Sequence, residues 1–220
     1  MALGLIGRKI GMTQIFDESG VAIPVTLLEL GPCLILDVFN KDNRGYDAVQ
    51  LGFGDVKPEK LSKPQLGRFT AGELQPKKFL KEFRICKIDE NFKRGDFLKV
   101  DIFNEGEIVD VHSISKGRGF QGVVKRYKFH GGRKTHGSHF HRIPGSIGAC
   151  ADPSKVFKGR KLPGRMGGVK VTTQNLKLIK VDLKNNLIVV RGSVPGPNGG
   201  IVEVTKAMKK AKIKKVVKAS

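Results

Sequence analysis

The sequence predicts a mainly β protein, a body of many short strands closing on themselves, with a small irregular or helical insert and one long basic loop. Three observations predict it. Apolar residues recur with period two in short runs bounded by Gly, Pro, Asn and Asp, the pattern of half-buried strands. Glycine supplies 28 of the 220 residues, well above a usual share of about 7%, so turns and close backbone approaches are expected throughout. Over residues 116–168 periodicity is lost altogether, and 13 Lys+Arg, 12 Gly and four His accompany a single acid, Asp152.

The strands follow in order. Val21, Ile23, Val25 and Leu27 share one face, and Gly31-Pro32 separates them from a second apolar run, 34–39. Asp42-Asn43-Arg44-Gly45 is a turn signal ahead of a third run, 48–53. Pro58, Pro64 and Pro76, with Gly67 and Gly72, then interrupt the pattern. This is the insert, about 57–95, where short helical pieces are expected, for example over 76–83. Strand patterning returns at 97–103, where Leu98, Val100 and Ile102 share a face, and at 108–114. After the basic stretch it resumes at 169–171, at 176–183 and 187–190 around an Asn185-Asn186 turn, and at 201–204. The body is therefore 1–115 with 169–205, the basic excursion is 116–168, and 206–220 is a tail with seven lysines and no acid.

Charge points to the partner. There are 41 Lys+Arg against 20 Asp+Glu, a net +21, and an excess of that size favours a polyanion. It is placed asymmetrically: residues 1–110 sum to −1 and residues 111–220 to +22. Hydrophobic residues make up 39%, enough to exclude wholesale disorder. The most apolar stretch, 21–38, is broken by Pro24, Glu29, Gly31, Pro32 and Asp37, which excludes a spanning helix. The opening residues lack a basic segment followed by a long apolar run, so no secretory leader is expected. Cys33, Cys86 and Cys150 are odd in number and 53 and 64 residues apart. They form no disulfide framework and no zinc knuckle, and a reducing compartment is expected.

Several motifs in the excursion carry chemistry. Lys116-Gly-Arg-Gly-Phe-Gln-Gly122 contains G-x-G-x-x-G, but no acid follows between Asp110 and Asp152, so a dinucleotide site is not expected. The turn instead offers amides and a guanidinium to phosphate. His130, His136, His139 and His141 have only Cys150 and Asp152 near them in sequence. That is too few partners for a metal or for an oriented general base. Imidazoles among Arg, Lys and Gly suit phosphates and 2′-hydroxyls, or lie as solvated loop residues. Phe120, Tyr127, Phe129, Phe140 and Phe157 interleave the cations. Either they stack on unpaired bases or they anchor their own loops, and anchoring is the expectation for Phe120. The tail reads as a polyanion-binding segment or, on its thin apolar face, as a membrane-surface helix. No catalytic residue, metal, cofactor, membrane or small-molecule substrate is expected.

Long motifs then carry a resemblance. The run Phe103-Asn-Glu-Gly-Glu-Ile-Val-Asp110-Val-His-Ser113-Ile-Ser115-Lys-Gly117-Arg118-Gly119-Phe-Gln-Gly122-Val-Val-Lys-Arg126 resembles the signature of the ribosomal protein L-three family of the large subunit. Gly7-Arg-Lys-Ile-Gly-Met-Thr-Gln-Ile-Phe16, Thr135-His-Gly-Ser-His-Phe-His-Arg-Ile-Pro-Gly-Ser-Ile-Gly148 and Val156-Phe-Lys-Gly-Arg-Lys-Leu-Pro-Gly-Arg-Met-Gly167 are similar to that family as well. The resemblance runs from about residue 3 to 205 and is of the bacterial type. It implies a closed β-barrel of the translation-factor type and an extension threading into large-subunit rRNA towards the peptidyl-transferase centre. It implies early assembly, with ribosomal proteins L-fourteen and L-nineteen as neighbours. The innermost turn would hold Gly145, Ser146, Ile147, Ala149, Cys150 and Asp152. Some relatives carry a methylated glutamine where this chain has Ala149, so that modification is not available here. The rRNA-binding residues expected on these grounds are Lys116, Arg118, Lys125, Arg126, Arg133, Lys134, His136, His139, His141, Arg142, Lys155, Lys158, Arg160, Lys161 and Arg165. The alternative is a non-ribosomal RNA-binding or chaperone protein.

Overall fold

A computed structural model describes residues 3–85 and 92–209. Residues 86–91 of the expected insert, with Cys86, and 210–220 of the expected tail lie outside the described residues. Two compact units emerge: Met1–Ile114 with Lys170–Ser220, and Ser115–Val169. In chain order the strands are β1 (Gly4–Phe16), β2 (Ala22–Leu30), β3 (Cys33–Phe39), β4 (Ala48–Asp55), β5 (Lys77–Arg84), β6 (Phe97–Leu98), β7 (Ile108–Ile114), β8 (Phe120–Gln121), β9 (Gly164–Arg165), β10 (Lys170–Asp182), β11 (Leu187–Arg191) and β12 (Ile201–Lys206). Among the described residues no helix is long and apolar enough to cross a membrane.

In the first unit, six antiparallel strands pair in the order β1-β12-β7-β10-β11-β2, and β2 pairs back onto β1. A ladder that closes on itself leaves no edge where it closes. Alternation explains which side chains fill it. Val109 and Val111 on β7, Ile188 and Val190 on β11, and Val202 and Val204 on β12 are all fully buried, at two-residue spacing along each strand. Leu5, Ile6, Leu28, Leu30 and Leu178 complete this part of the core. Each such side chain contributes roughly 1.5–3 kcal/mol by leaving water.

Four expectations are corrected. β3 and β4 do not join the ring. They lie in a second sheet of order β5-β4-β3-β6, because where the ring closes, at 7–8 of β1 and 25–29 of β2, both strands already have a neighbour on each side. Ile35, Val49, Leu51 and Phe83 of this sheet share the core cluster of the ring. On β2 the core takes the other face at its end: Leu28 and Leu30 are fully buried while Leu27 is half-buried, a choice set by the register Lys9↔Leu28 and Gly7↔Leu30. The helical piece expected over 76–83 is strand β5, with Lys77 and Phe83 buried on its inner face. The strand expected over 97–103 is only two residues of β6, followed by a 3-10 turn over Val100–Ile102, because β6 pairs with β3 only at Cys33↔Leu98 and Leu34↔Phe97.

A helix does occur in the insert, α2 (Lys63–Thr70), preceded in the chain by the short α1 (Lys41–Arg44) that ends at Gly45, φ 76°. Gln65 Oε1 accepts from the Ser62 amide at 3.3 Å and from Ser62 Oγ at 3.1 Å, Pro64 sits in the first turn, and Phe69 packs with Leu34 and Leu36. Nearby, Cys33 is buried and its Sγ donates to the Ile6 carbonyl at 3.2 Å. Burial pushes this thiol up to about 12, so it stays protonated and inert.

His112 on β7 makes one stability prediction. Its Nδ1 lies 2.6 Å from Thr172 Oγ1. Burial lowers its pKa, outweighing the nearby Glu203 carboxylate, which raises it. The unfolded chain therefore binds the proton more readily. The stability His112 contributes is present above its unfolded pKa of about 6.5 and is lost as pH falls through the lowered folded value. Urea unfolding at about pH 7 and about pH 5 is expected to give a wild-type advantage over His112→Gln that shrinks on acidification.

Candidate nucleic-acid interface

The second unit, Ser115–Val169, is held by its own backbone. The Ser115 amide donates to the Val169 carbonyl at 2.9 Å and the Gly168 amide to the Ser115 carbonyl at 3.2 Å. The Arg118 amide then donates to the Met166 carbonyl and the Met166 amide to the Gly119 carbonyl, each at 2.9 Å. β8 and β9 pair beyond them, Phe120 opposite Arg165 and Gln121 opposite Gly164. Gly167 has φ +74°, and a Cβ there would overlap the Lys116 carbonyl oxygen, so only glycine lets the two chains close at this point.

The glycine motif turns into helix α3 (Val123–Tyr127), which stops at Lys128 in the left-handed region, φ 59°. Val123 is buried and anchors it. Arg126 donates to the Leu162 carbonyl at 2.7 Å, and its guanidinium lies 5.0 Å from the centre of the Tyr127 ring. Lys161 Nζ is 5.9 Å from that ring, and Phe129 is 6.2 Å from it, centre to centre. Farther on, the Gly132 amide donates to the Phe140 carbonyl at 2.8 Å. A Cβ on Gly131 would overlap the His141 carbonyl oxygen. Two bare backbones therefore run against each other, and Gly131, Gly132, Lys134, His141 and Arg142 come to line one hollow with Val124. A second, open hollow is lined by 145–150 and 154–156. There Arg160 donates to the Ser146 carbonyl and Ser146 Oγ to the Gly148 carbonyl at 3.1 Å.

Of the fifteen residues expected to bind rRNA, fourteen are exposed. Arg126 is the exception: it is half-buried and braces Leu162. The innermost-turn residues Gly145, Ser146, Ile147, Ala149, Cys150 and Asp152 are exposed as well. Lys128 and His130, absent from the expected set, are exposed in the same segment, and the same basic run is their signal. The expected anchoring of Phe120 is corrected: it is 76% exposed, because a two-residue strand pair leaves its side chain no layer to pack under. Phe140, Ile143 and Phe157 are also exposed.

Electrostatics separates the two units. Ion pairs such as Lys81–Glu203 at 3.3 Å, Lys170–Glu203 at 3.2 Å and Lys206–Glu107 at 3.1 Å fall in the first unit. Among the described residues none involves 115–169. Nor do the described residues contain a group of three His, Cys, Asp or Glu placed to hold a metal ion. Thirteen like charges on one short segment, with apolar rings left in water between them, repel one another unless an anion comes between.

A cation-rich segment pinned by glycines to bare backbone, in a chain whose other unit is a β body with its own core, is the class of arrangement suited to a polyanion. Comparison with known proteins gives the family. A model described as "Ribosomal protein L3" matches residues 84–184. The "Large ribosomal subunit protein uL3" of Brachyspira pilosicoli is 50% identical over 213 residues, 97% of each chain. That of Geobacillus kaustophilus (strain HTA426) is 51% identical over 212 residues, 96% of this chain and 99% of its own, and that of Carboxydothermus hydrogenoformans is 51% identical over 209 residues, 95% and 99%. The chain belongs to the ribosomal protein L3 family, in its bacterial form.

Proposed function

We infer that this chain is a structural constituent of the large ribosomal subunit, and not an enzyme, that binds large-subunit rRNA and acts from the cytoplasmic ribosome. The single observation carrying this reading is identity of about half over nearly the whole length of relatives bearing that name. The bare cations of 115–169 supply its chemistry. Exposed Arg and Lys neutralise phosphates, glycines admit close approach, and exposed rings and imidazoles meet bases and 2′-hydroxyls. In this reading the ring of six strands is a closed barrel of the translation-factor type. The body is 1–115 with 169–205, and 116–168 is the extension threading through rRNA, with Gly145 to Asp152 nearest the peptidyl-transferase centre. Lys116, Arg118, Lys125, Arg133, Lys134, Arg142, Lys155, Lys158, Arg160, Lys161 and Arg165 meet phosphate, with His136, His139 and His141 among them, and Arg126 shapes the loop that carries them. Ribosomal proteins L-fourteen and L-nineteen are its neighbours by family, and binding early in assembly suits a segment whose charge is relieved only by RNA.

Sedimentation through a salt gradient tests it. If only six cations met phosphates on free RNA, affinity would fall by on the order of 10⁴–10⁵ per decade of salt. A threaded extension is expected to stay with the large subunit in high salt until the particle itself unfolds. Loss to the top of the gradient at modest salt overturns the ribosomal reading in favour of a loosely bound RNA chaperone.

A further inference from the structure

We propose that the end of the β1–β2 hairpin, residues 10–24, docks a protein partner that lays an extended, cationic segment along the free edge of β1. The proposal rests on the ribosomal reading, because the partner is sought on the large subunit. β12 accompanies β1 only over Gly4–Arg8, whereas β2 follows it to the pair Phe16↔Ala22. Among the described residues, therefore, no strand lies on the other side of Gly11–Phe16. Proteins ordinarily blunt such an edge with Lys, Pro or a bulge. The bulge of β1 falls earlier, between Lys9 and Gly11, and residues 10–16 carry neither charge nor proline.

The side chains point to the same use. Met12 and Phe16 share a face with Ala22 and Pro24 across the hairpin. Met12 is 52% exposed and Phe16 67%, and Val21 beside them is also exposed. Charge then selects the class of partner. No Lys or Arg occurs between Lys9 and Lys41 in a chain of net +21. Asp17 and Glu18 are exposed at the hairpin turn, which is fixed by the Gly20 amide donating to the Asp17 carbonyl at 2.8 Å. An RNA backbone is repelled from such a surface. A strand with alternating apolar residues and a Lys or Arg near its end satisfies the open backbone, the apolar face and the two carboxylates together.

The test places the photoreactive residue p-benzoylphenylalanine at position 16 of the full chain and irradiates native large subunits. The expected product is an adduct with one ribosomal protein, at a peptide carrying Lys or Arg within a few residues of the link. An adduct with rRNA, with a second copy of this chain, or no adduct overturns the proposal. Met12→Lys with Phe16→Lys is expected to leave this chain in the particle and to lower occupancy of that one protein about tenfold or more. Unchanged occupancy overturns it too. If the chain does not sediment with large subunits at all, the ribosomal reading fails first. If it does and Phe16 meets RNA, this inference alone fails.

Discussion

A chain lacking residues 117–165 is expected to fold as before and to enter large subunits on the order of a hundredfold less well than wild type. The first half follows from where the core lies. Neither hydrophobic cluster contains a residue between 115 and 169, and the β7–β10 ladder, which begins at Ile114↔Lys170, lies outside the deletion. The new junction is short, because the Gly167 Cα already stands against the Lys116 carbonyl. Lys116 can therefore join Met166 through a tight turn. The unfolding transition of the first unit is expected to be retained and not weakened, because the deletion removes none of its clustered core residues and shortens the loop that its ends must close. The second half follows from charge. The deletion removes Arg118 and every cation through Arg165, and binding weakens with each phosphate left unneutralised, whatever the RNA sequence. Urea unfolding of the purified chain and quantitative mass spectrometry of large subunits from cells expressing it check the two halves. Wild-type incorporation would remove 115–169 from the binding machinery.

Parts of this architecture are legible in the sequence and parts are not, for identifiable reasons. β7 shows its bounds because Val109, Val111 and Ser113 keep strict alternation on a strand buried from one side. β5 is disguised because its inward positions include Lys77 and Lys81 beside Phe79 and Phe83. Lysine on an inner face hides a period of two, and Phe79, Leu80 and Phe83 then mimic a helical stripe. The inward lysines are tolerated because the ammonium groups find carboxylates, Lys77 with Asp55 at 2.6 Å and Lys81 with Glu203 at 3.3 Å. α2 carries a start signal of its own, Ser62 three residues before Gln65 with Pro64 between them, which the surrounding prolines and glycines obscure.

The candidate interface is legible as composition and not as geometry. Charge marks 116–168, and all but one of the expected residues face outward. Nothing local distinguishes Arg126 from its neighbours, because its partner, the Leu162 carbonyl, is 36 residues away. The same holds for Gly131 and Gly132, whose close passage to Phe140 and His141 is visible only once the loop has folded back. Phe120 departs in the opposite direction. Its neighbours suggest a ring needing cover, whereas the fold leaves it in water, available to an aromatic or base surface.

Gly7→Ala is expected to destabilise the chain by about 1–3 kcal/mol or more, as overpacking does when the obstructing atoms belong to the backbone. Gly7 is where β1 holds both neighbours at once, opposite Val202 of β12 and opposite Leu30 of β2. A methyl group there would overlap the Glu29 carbonyl oxygen and come within 2.9 Å of the Leu30 Cα. Neither can withdraw without loosening the β1–β2 ladder, the pairing through which the ring closes. Gly67→Ala is the matched control. Gly67 lies in α2 with nothing within 4 Å of its Cβ position. There alanine is expected to add about 0.5–1 kcal/mol by restricting the unfolded chain and favouring helix. Chemical unfolding of the two variants beside wild type separates the cases. Equal midpoints for Gly7→Ala and wild type would mean that β1 and β2 can part at Gly7 without cost, and that the ring is held elsewhere. A Gly67→Ala chain less stable than wild type would instead place an unseen neighbour against α2.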